Sequence, residues 1–219
     1  MKTMQSSSGH GTGAAVDNAR VLRVYERLAA RYDKFIRFPE RVFFQGGRQW
    51  ACSQASGEVL EVGIGTGRNL PFYRDDVRLT GVDLSPGMLE IARRRAREQG
   101  RAVDLRVGDA QALEFPEDRF DAVVFTLSLC TIPDDRKAVA EARRVLRRSG
   151  RLILLEHVRS PKLAVRWGQR IIEPIALWLE ADHLLREPLD QVTVEGLEVI
   201  TIERSRLGIV ERLVARKPV

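Results

Sequence analysis

The chain has 219 residues, enough for one large domain whose core needs no disulfides. Its net charge is +6, and no run of roughly 18 apolar residues occurs, which argues against a membrane-spanning helix. The two cysteines, Cys52 and Cys130, form neither a CxxC pair nor a metal-ligand spacing, so no metal site is expected. The N-terminus also lacks the apolar stretch of a signal peptide, so we expect a cytoplasmic protein.

The N-terminal segment divides into a predicted tail and a predicted helix. Residues 1–17 are rich in Ser, Gly and Thr, which predicts disorder and leaves a single domain over 18–219. Apolar residues recur at helical spacing over Asn18–Phe38, which predicts a helix. An apolar face must cover something, and we expect residues 18–50 to form a lid over the domain.

The middle of the chain alternates short apolar runs with helical patterns. The predicted strands are Glu58–Val62, Arg78–Val82, Val103–Val107, Asp121–Phe125 and Arg151–Leu155. Helices are predicted over Pro86–Gln99 and Arg136–Arg148, the second closed by Ser149 and Gly150. This alternation predicts an α/β fold, with a parallel sheet and helices on both of its faces.

The last quarter of the chain departs from this alternation. Leu197–Glu203 and Val210–Ala215 are predicted strands, and only residues 204–209 separate them. A parallel crossover needs about a dozen residues or more, so this pair must be antiparallel. The expected sheet therefore has seven strands and ends in a C-terminal antiparallel hairpin.

A glycine-rich loop follows the first predicted strand. Gly63, Gly65 and Gly67 stand where a ligand must approach the backbone, because a Cβ there would meet the ligand or prevent the turn. About 20 residues further on, Asp83 ends the next strand, where a carboxylate can bind ribose hydroxyls. These residues indicate a nucleoside cofactor and by themselves also fit a nicotinamide-dependent dehydrogenase.

Three details separate this loop from a dinucleotide site. The third glycine of a GxGxxG loop is missing, because Arg68 and Asn69 follow Gly67. Glu61 precedes the loop, where it would repel a pyrophosphate and attract an ammonium group. Asp109 follows the third strand, suitably placed to accept from an adenine amino group.

Four blocks in this order resemble the class I S-adenosylmethionine-dependent methyltransferases, which share a Rossmann-like fold. The blocks are EVGIGTG, GVDLSPGML, GDAQALEFPEDRFDAVV and RVLRRSGRLILLEH, within residues 58–160. The resemblance implies S-adenosylmethionine as cofactor and S-adenosylhomocysteine as product. The cofactor-binding residues that it implies are Glu61, Gly63, Ile64, Gly65, Thr66, Gly67, Asn69, Asp83, Leu84, Met88, Gly108, Asp109, Ala110 and Leu127.

The resemblance also suggests roles for these residues. The glycines would cradle the cofactor and Asp83 would bind its ribose. Leu84 and Met88 would sandwich the adenine, Asp109 and Ala110 would contact its edge, and Leu127 would line the methionine arm.

Candidate catalytic residues are few. His157 follows the fifth strand, where it could remove a proton from a thiol, amine or hydroxyl, position a substrate, or only bond a neighbouring loop. Tyr25, Tyr32 and Asp33 resemble the lid that closes over the cofactor in related methyltransferases, although core packing is the alternative for the tyrosines. We predict Tyr32 as a cofactor contact and Tyr25 as a catalytic candidate. Cys130 is interpreted as a small packed residue.

The acceptor is expected to contact an insert over Ser160–Gly196. This insert combines tryptophans and isoleucines with basic residues, which fits a cap over an apolar acceptor, a segment resting on a membrane surface or a helix packed on the sheet. We expect a mixture of these, with the cap as the main use. Leu155–Val158, Glu173-Pro174 and Arg186-Glu187 resemble thiol S-methyltransferases, bacterial phosphatidylethanolamine N-methyltransferases and, more distantly, quinone C-methyltransferases. The resemblance implies a small apolar or lipid-like acceptor. Its N, S, O or C atom would receive the methyl group by in-line displacement.

Several alternatives stay open at this point. The enzyme could methylate phosphatidylethanolamine at a membrane surface, as a peripheral protein. The basic charge also allows an RNA methyltransferase, although an aromatic-rich basic patch is missing and nucleic acid is not an expected partner. A further alternative is a cofactor-binding protein without catalysis. The sequence leaves the oligomeric state undetermined.

Overall fold

A mixed seven-stranded sheet forms the centre of the molecule. The computed structural model describes residues 11–205 and 207–219, with side chains at 18–179, 181–205 and 207–219. The strands are β1 (Glu58–Val62), β2 (Arg78–Asp83), β3 (Val103–Val107), β4 (Phe120–Thr126), β5 (Leu146–His157), β6 (Glu198–Arg204) and β7 (Val210–Arg216). Their order is β3-β2-β1-β4-β5-β7-β6. The first five are parallel, whereas β7 runs antiparallel to both β5 and β6, which confirms the predicted fold class.

Six α-helices surround the sheet within the described residues. They are α1 (Gly11–Phe43), α2 (Gly47–Ser53), α3 (Pro86–Glu98), α4 (Asp135–Val145), α5 (Leu163–Glu180) and α6 (Pro188–Val194). Side-chain caps fix two helix starts, because Ser85 accepts from the Met88 amide at 3.1 Å and Asp134 from the Lys137 amide at 3.1 Å. None of the helices described here combines the length and apolar character needed to cross a membrane.

Strand alternation sends apolar side chains to both faces of the sheet. Val123 and Phe125 join the apolar layer under α4 and α6, whereas Val124 joins the layer under α2 and α3. Burial on both faces explains why the central strands read as continuous apolar runs. The carboxyl ends of the parallel strands consequently open on one edge of a rigid platform.

The junction between α4 and β5 differs from its prediction. The helix predicted to reach Arg148 ends at Val145, and β5 begins at Leu146 instead of Arg151. Leu146 is buried and pairs with Phe120, so tertiary packing outweighs the helical pattern. The predicted stop at Ser149 and Gly150 is instead an irregularity within the strand, where Ser149 adopts φ 63°.

The ends of the chain also differ from the pattern. Helix α1 begins at Gly11 and ends at Phe43, beyond both predicted limits, so the predicted tail over 1–17 overlaps its first turns. Residues 1–10 lie outside the described residues. The predicted insert contains α5 and α6, and α6 packs beside α4.

Candidate functional site

A cavity opens at the carboxyl ends of β1, β2 and β4. Many of the predicted site residues line it, although they come from separate parts of the chain. They are Tyr25, Tyr32, Gly63, Gly65, Asp83, Leu84, Met88, Gly108, Asp109, Ala110 and Leu127. The parallel strands bring these segments together because their carboxyl ends share one edge of the sheet.

The glycine loop has its backbone in the left-handed region. Gly63 has φ 70°, and a Cβ built on it would lie 2.4 Å from the Ser128 Cβ. Gly65 has φ 58°, and a Cβ there would meet no heavy atom within 4 Å. Since Gly65 lines the cavity, its missing side chain leaves room for a ligand against the backbone.

Asp83 joins the glycine loop to the start of α3. Its Oδ2 accepts from the Gly65 amide at 2.8 Å, and its Oδ1 accepts from the Ser85 amide at 2.9 Å. Burial raises the pKa of the Asp83 carboxyl to about 6, although these two amides favour its charged form. The cavity therefore has a fixed, partly desolvated carboxylate at the position predicted for ribose binding.

Five of the predicted cofactor-binding residues do not line the cavity. They are Glu61, Ile64, Thr66, Gly67 and Asn69. The Asn69 amide donates to Glu61 Oε1 and to Thr126 Oγ1, both at 2.9 Å, so Glu61 reaches the loop through Asn69. Ile64 is buried in the apolar layer, and burial raises the pKa of the Glu61 carboxyl to about 7.

The raised pKa of Glu61 predicts an unusual effect of pH on stability. The folded state favours the protonated carboxyl, so stability is highest below the ordinary pKa of 4.5 and falls as pH rises toward 7. Glu61→Gln removes this dependence. Urea unfolding at pH 5 and at pH 8 measures the effect. From the lower to the higher pH, the free energy of unfolding of the variant should rise by about 2 kcal/mol relative to that of wild type. Glu114→Gln, at an exposed position, is the matched control and should show no such gain.

Helix α1 lies along the cavity and supplies several of its walls. Tyr25 and Tyr32 meet edge to face with their ring centroids 6.1 Å apart, and both line the cavity. Burial raises the pKa of Tyr32, so its phenol is neutral. Asn18, which the sequence analysis did not single out, donates to Asp109 Oδ2 at 2.8 Å.

Carboxylates on α1 hold this helix against the loops of the sheet. Glu26 Oε1 accepts from the Ser85 hydroxyl at 2.6 Å and from the Gly87 amide at 2.8 Å. Asp33 accepts from the Thr66 hydroxyl at 2.7 Å and forms an ion pair with Arg95. Helix α1 thus lies against the glycine loop and the start of α3.

His157 stands in a polar cluster beside the cavity. Its Nε2 lies 2.8 Å from Asp182 Oδ1. One side-chain sulfur, nitrogen or oxygen atom from each of Cys130, His157 and Asp182 lies within 4.8 Å of the other two. Burial alone would raise the pKa of Asp182, but His157 holds it below its ordinary value. His157 does not itself line the cavity, whereas Ser128 and Thr131, on either side of Cys130, do.

The loop after β4 was the main part of the site that sequence reasoning missed. Its lining residues beyond Leu127 are Ser128, Thr131, Ile132 and Pro133. Buried Glu156 accepts from the Ser128 and Leu129 amides, each at 3.0 Å. Arg186 donates to the Leu129 and Ile132 carbonyls, each at 2.6 Å. The sequence contained one signal for this loop, the Glu156-His157 and Arg186-Glu187 pairs quoted above. Neither pair by itself indicates that its residues bond the loop after β4.

The sheet order and the glycine loop define a Rossmann-like fold with a nucleoside-cofactor cavity. A family described as a methyltransferase domain matches residues 60–154. A phosphatidylethanolamine N-methyltransferase of Cereibacter sphaeroides is 41% identical over 103 residues, covering 46% of this chain and 51% of the relative. The ubiquinone/menaquinone biosynthesis C-methyltransferase of Paracoccus denitrificans is 32% identical over 170 residues, covering 73% of this chain and 68% of the relative.

Solved structures share the fold. A SAM-dependent methyltransferase from Thermotoga maritima superimposes with a TM-score of 0.69 at 21% identity, covering 89% of this chain and 99% of its own. The chain belongs to the class I S-adenosylmethionine-dependent methyltransferases. It spans about half the length of the phosphatidylethanolamine N-methyltransferase it matches.

S-adenosylmethionine is the cofactor that this family implies, and the cavity residues fit it. The open side of Gly65 leaves space along the loop, while Asp83 and Asp109 offer carboxylates for polar groups. Leu84 and Met88 add apolar surface to the cavity lining. A nucleoside with a polar ribose and an apolar base face matches this arrangement.

Proposed function

We propose that the protein transfers a methyl group from S-adenosylmethionine to a small, apolar or lipid-like acceptor. The observation that carries the proposal is a cavity in which the glycine loop and two carboxylates meet an apolar wall. Val21, Ile132 and Pro133 belong to that wall. An apolar acceptor would be desolvated there together with the methyl donor.

The cofactor end of the cavity has the groups that a nucleoside needs. Asp83 would accept hydrogen bonds from the ribose hydroxyls. The hydrogen bond that it accepts from the Gly65 amide would keep the loop in place. Asp109, fixed by Asn18, would accept from the adenine amino group. When bound, S-adenosylmethionine supplies a methyl carbon already activated by its sulfonium.

The chain's own contribution to the reaction is positioning and removal of a proton. Holding the acceptor in line can lower the barrier by about 7–11 kcal/mol. Tyr25 would contact the acceptor from the α1 side, and its ring is held against Tyr32. His157, oriented by Asp182 outside the cavity lining, would take the acceptor proton through one bridging water where the acceptor carries such a proton.

His157→Ala should lower kcat by about 100-fold while leaving the dissociation constant of S-adenosylhomocysteine unchanged, because general bases contribute this much. Asp182→Asn should lower kcat less and move the pH profile, since the carboxylate orients the imidazole and stabilises its protonated form. Steady-state kinetics with calorimetric titration of S-adenosylhomocysteine measures both effects. A His157→Ala enzyme with full turnover would remove its proposed role.

The proposed function itself needs a panel of acceptors. Lipids, thiols and quinones would be incubated with isotopically labelled S-adenosylmethionine, and products would be identified by mass. We expect methylation of an apolar member of the panel. Tight S-adenosylhomocysteine binding without any methylated product would instead favour a cofactor-binding protein.

A second candidate is N-methylation of phosphatidylethanolamine by a protein resting on a membrane surface. The exposed apolar residues of α5 support this candidate. So does the similarity to the phosphatidylethanolamine N-methyltransferase of Cereibacter sphaeroides, 41% identical over 103 residues. Formation of N-methylated phosphatidylethanolamine in vesicles, with thiols and quinones left unmodified, is the result expected from this candidate.

A further inference from the structure

Helix α5 exposes its apolar side chains instead of burying them. Large apolar residues recur along it at helical spacing, each with half or more of its surface exposed. This apolar stripe consists of Leu163, Trp167, Ile171, Ile172, Ile175, Trp178 and Leu179. In α3 and α4, by contrast, residues such as Leu89 and Val139 are fully buried. The stripe is therefore an unpartnered surface in the described part of the chain.

The opposite side of α5 faces the protein with a polar residue. Gln169 Nε2 donates to the Val158 carbonyl at 2.9 Å and to the Leu184 carbonyl at 3.2 Å. Its Oε1 accepts from the Ser160 amide at 2.8 Å. These bonds fix the rotation of α5, so the stripe cannot turn inward without breaking them. A soluble helix has the reverse arrangement, with its apolar side on the core.

The charges beside the stripe indicate what covers it. Lys162, Arg166 and Arg170 lie on or next to α5, and the Arg170 guanidinium lies over the Trp167 ring, 5.8 Å from its centroid. A second copy of the chain would bring another net charge of +6 to the contact, which opposes self-association. An anionic lipid surface complements both the cations and the apolar side chains.

We propose that α5 lies in the interface of an anionic lipid bilayer, with the apolar stripe turned toward the acyl chains. The stripe runs from Leu163 to Leu179, about 24 Å at the rise of an α-helix, parallel to the membrane plane. Trp167 and Trp178 would lie at headgroup depth. The end of α5 leads to Asp182, the partner of His157, so docking would bring an apolar acceptor near that pair; this part rests on the proposed function.

The test is co-sedimentation of the full chain with vesicles of phosphatidylcholine and phosphatidylglycerol in equal amounts. Wild type should bind them, and bind much less to phosphatidylcholine alone. Ile171→Glu should weaken binding about tenfold or more, because a charge replaces apolar contact. Ile200→Glu is the matched control on the exposed strand β6 and should bind as wild type does. Brominated lipids should quench tryptophan fluorescence of wild type more than of Trp178→Ala.

Three results would overturn the proposal. They are wild type staying in the supernatant, equal loss of binding in Ile171→Glu and Ile200→Glu, or a dimer in analytical ultracentrifugation that Ile171→Glu dissociates. S-adenosylhomocysteine affinity and turnover of a water-soluble acceptor are measured on the same proteins. If vesicle binding fails while these are retained, only the docking proposal falls; if vesicle binding holds without any methyl transfer, only the proposed function falls.

Discussion

Replacing Gly65 with valine should raise the dissociation constant of S-adenosylhomocysteine by about 100-fold or more, equivalent to about 3 kcal/mol. Gly65 has φ 58°, lines the cavity and has open space where its Cβ would stand. An isopropyl group there would occupy the volume beside the loop that a bound nucleoside needs. Isothermal titration calorimetry of the purified variant measures the loss.

Gly196→Val separates this effect from backbone strain. Gly196 has φ 69° and likewise nothing within 4 Å of an added Cβ, but it follows α6 and lies outside the cavity lining. Both variants should lose similar stability in thermal unfolding, because valine is strained at positive φ. Only Gly65→Val should lose binding. Equal affinities in the two variants would show that ligand does not approach this loop.

Asp83→Ala should weaken S-adenosylhomocysteine binding to a similar extent. It removes the carboxylate proposed to accept the ribose hydroxyls, and it leaves the Gly65 and Ser85 amides without their acceptor. Titration calorimetry again measures the change. Asp104→Ala, at an exposed position on β3, is the control and should bind normally.

The raised pKa of Asp83 adds a pH signature. Because burial raises it to about 6, the charged form that accepts hydroxyls is present above pH 6 and lost as pH falls through that value. Affinity of wild type should therefore decline between pH 7 and pH 5. Asp83→Asn cannot titrate there, so its weaker affinity should stay level. A parallel decline in both proteins would assign the titration to another group.

Local patterns predicted most of the sheet. The limits of β1 and β3 agree with the predicted ones, and the gap of six residues predicted between the last two strands required the antiparallel hairpin that is observed. The pairing of β7 with β5 depends on contacts far apart in the chain, which periodicity does not report. The predicted end of α4 was wrong for the same reason, because the pairing of buried Leu146 with Phe120 ends the helix before Arg148.

The site shows the same division between local and long-range signals. Motif spacing indicated Gly65, Asp83 and Asp109, whose positions follow from strand ends. Asp182 was missed because it follows a helix of the insert, and only the packing of that insert brings it to His157. Spacing also could not show that Glu61 lies behind the loop, since a strand-end acid can point toward the cavity or away from it.

Helix α1 has a consequence for the order of events in a catalytic cycle. Among its residues with described side chains, only Ala29 is buried, and carboxylate contacts such as those of Glu26 and Asp33 hold the helix in place. Its detachment would cost far less than opening either apolar layer of the sheet. Spent cofactor would then leave by a local opening of one helix, and raised ionic strength should speed that release by weakening the Asp33–Arg95 ion pair.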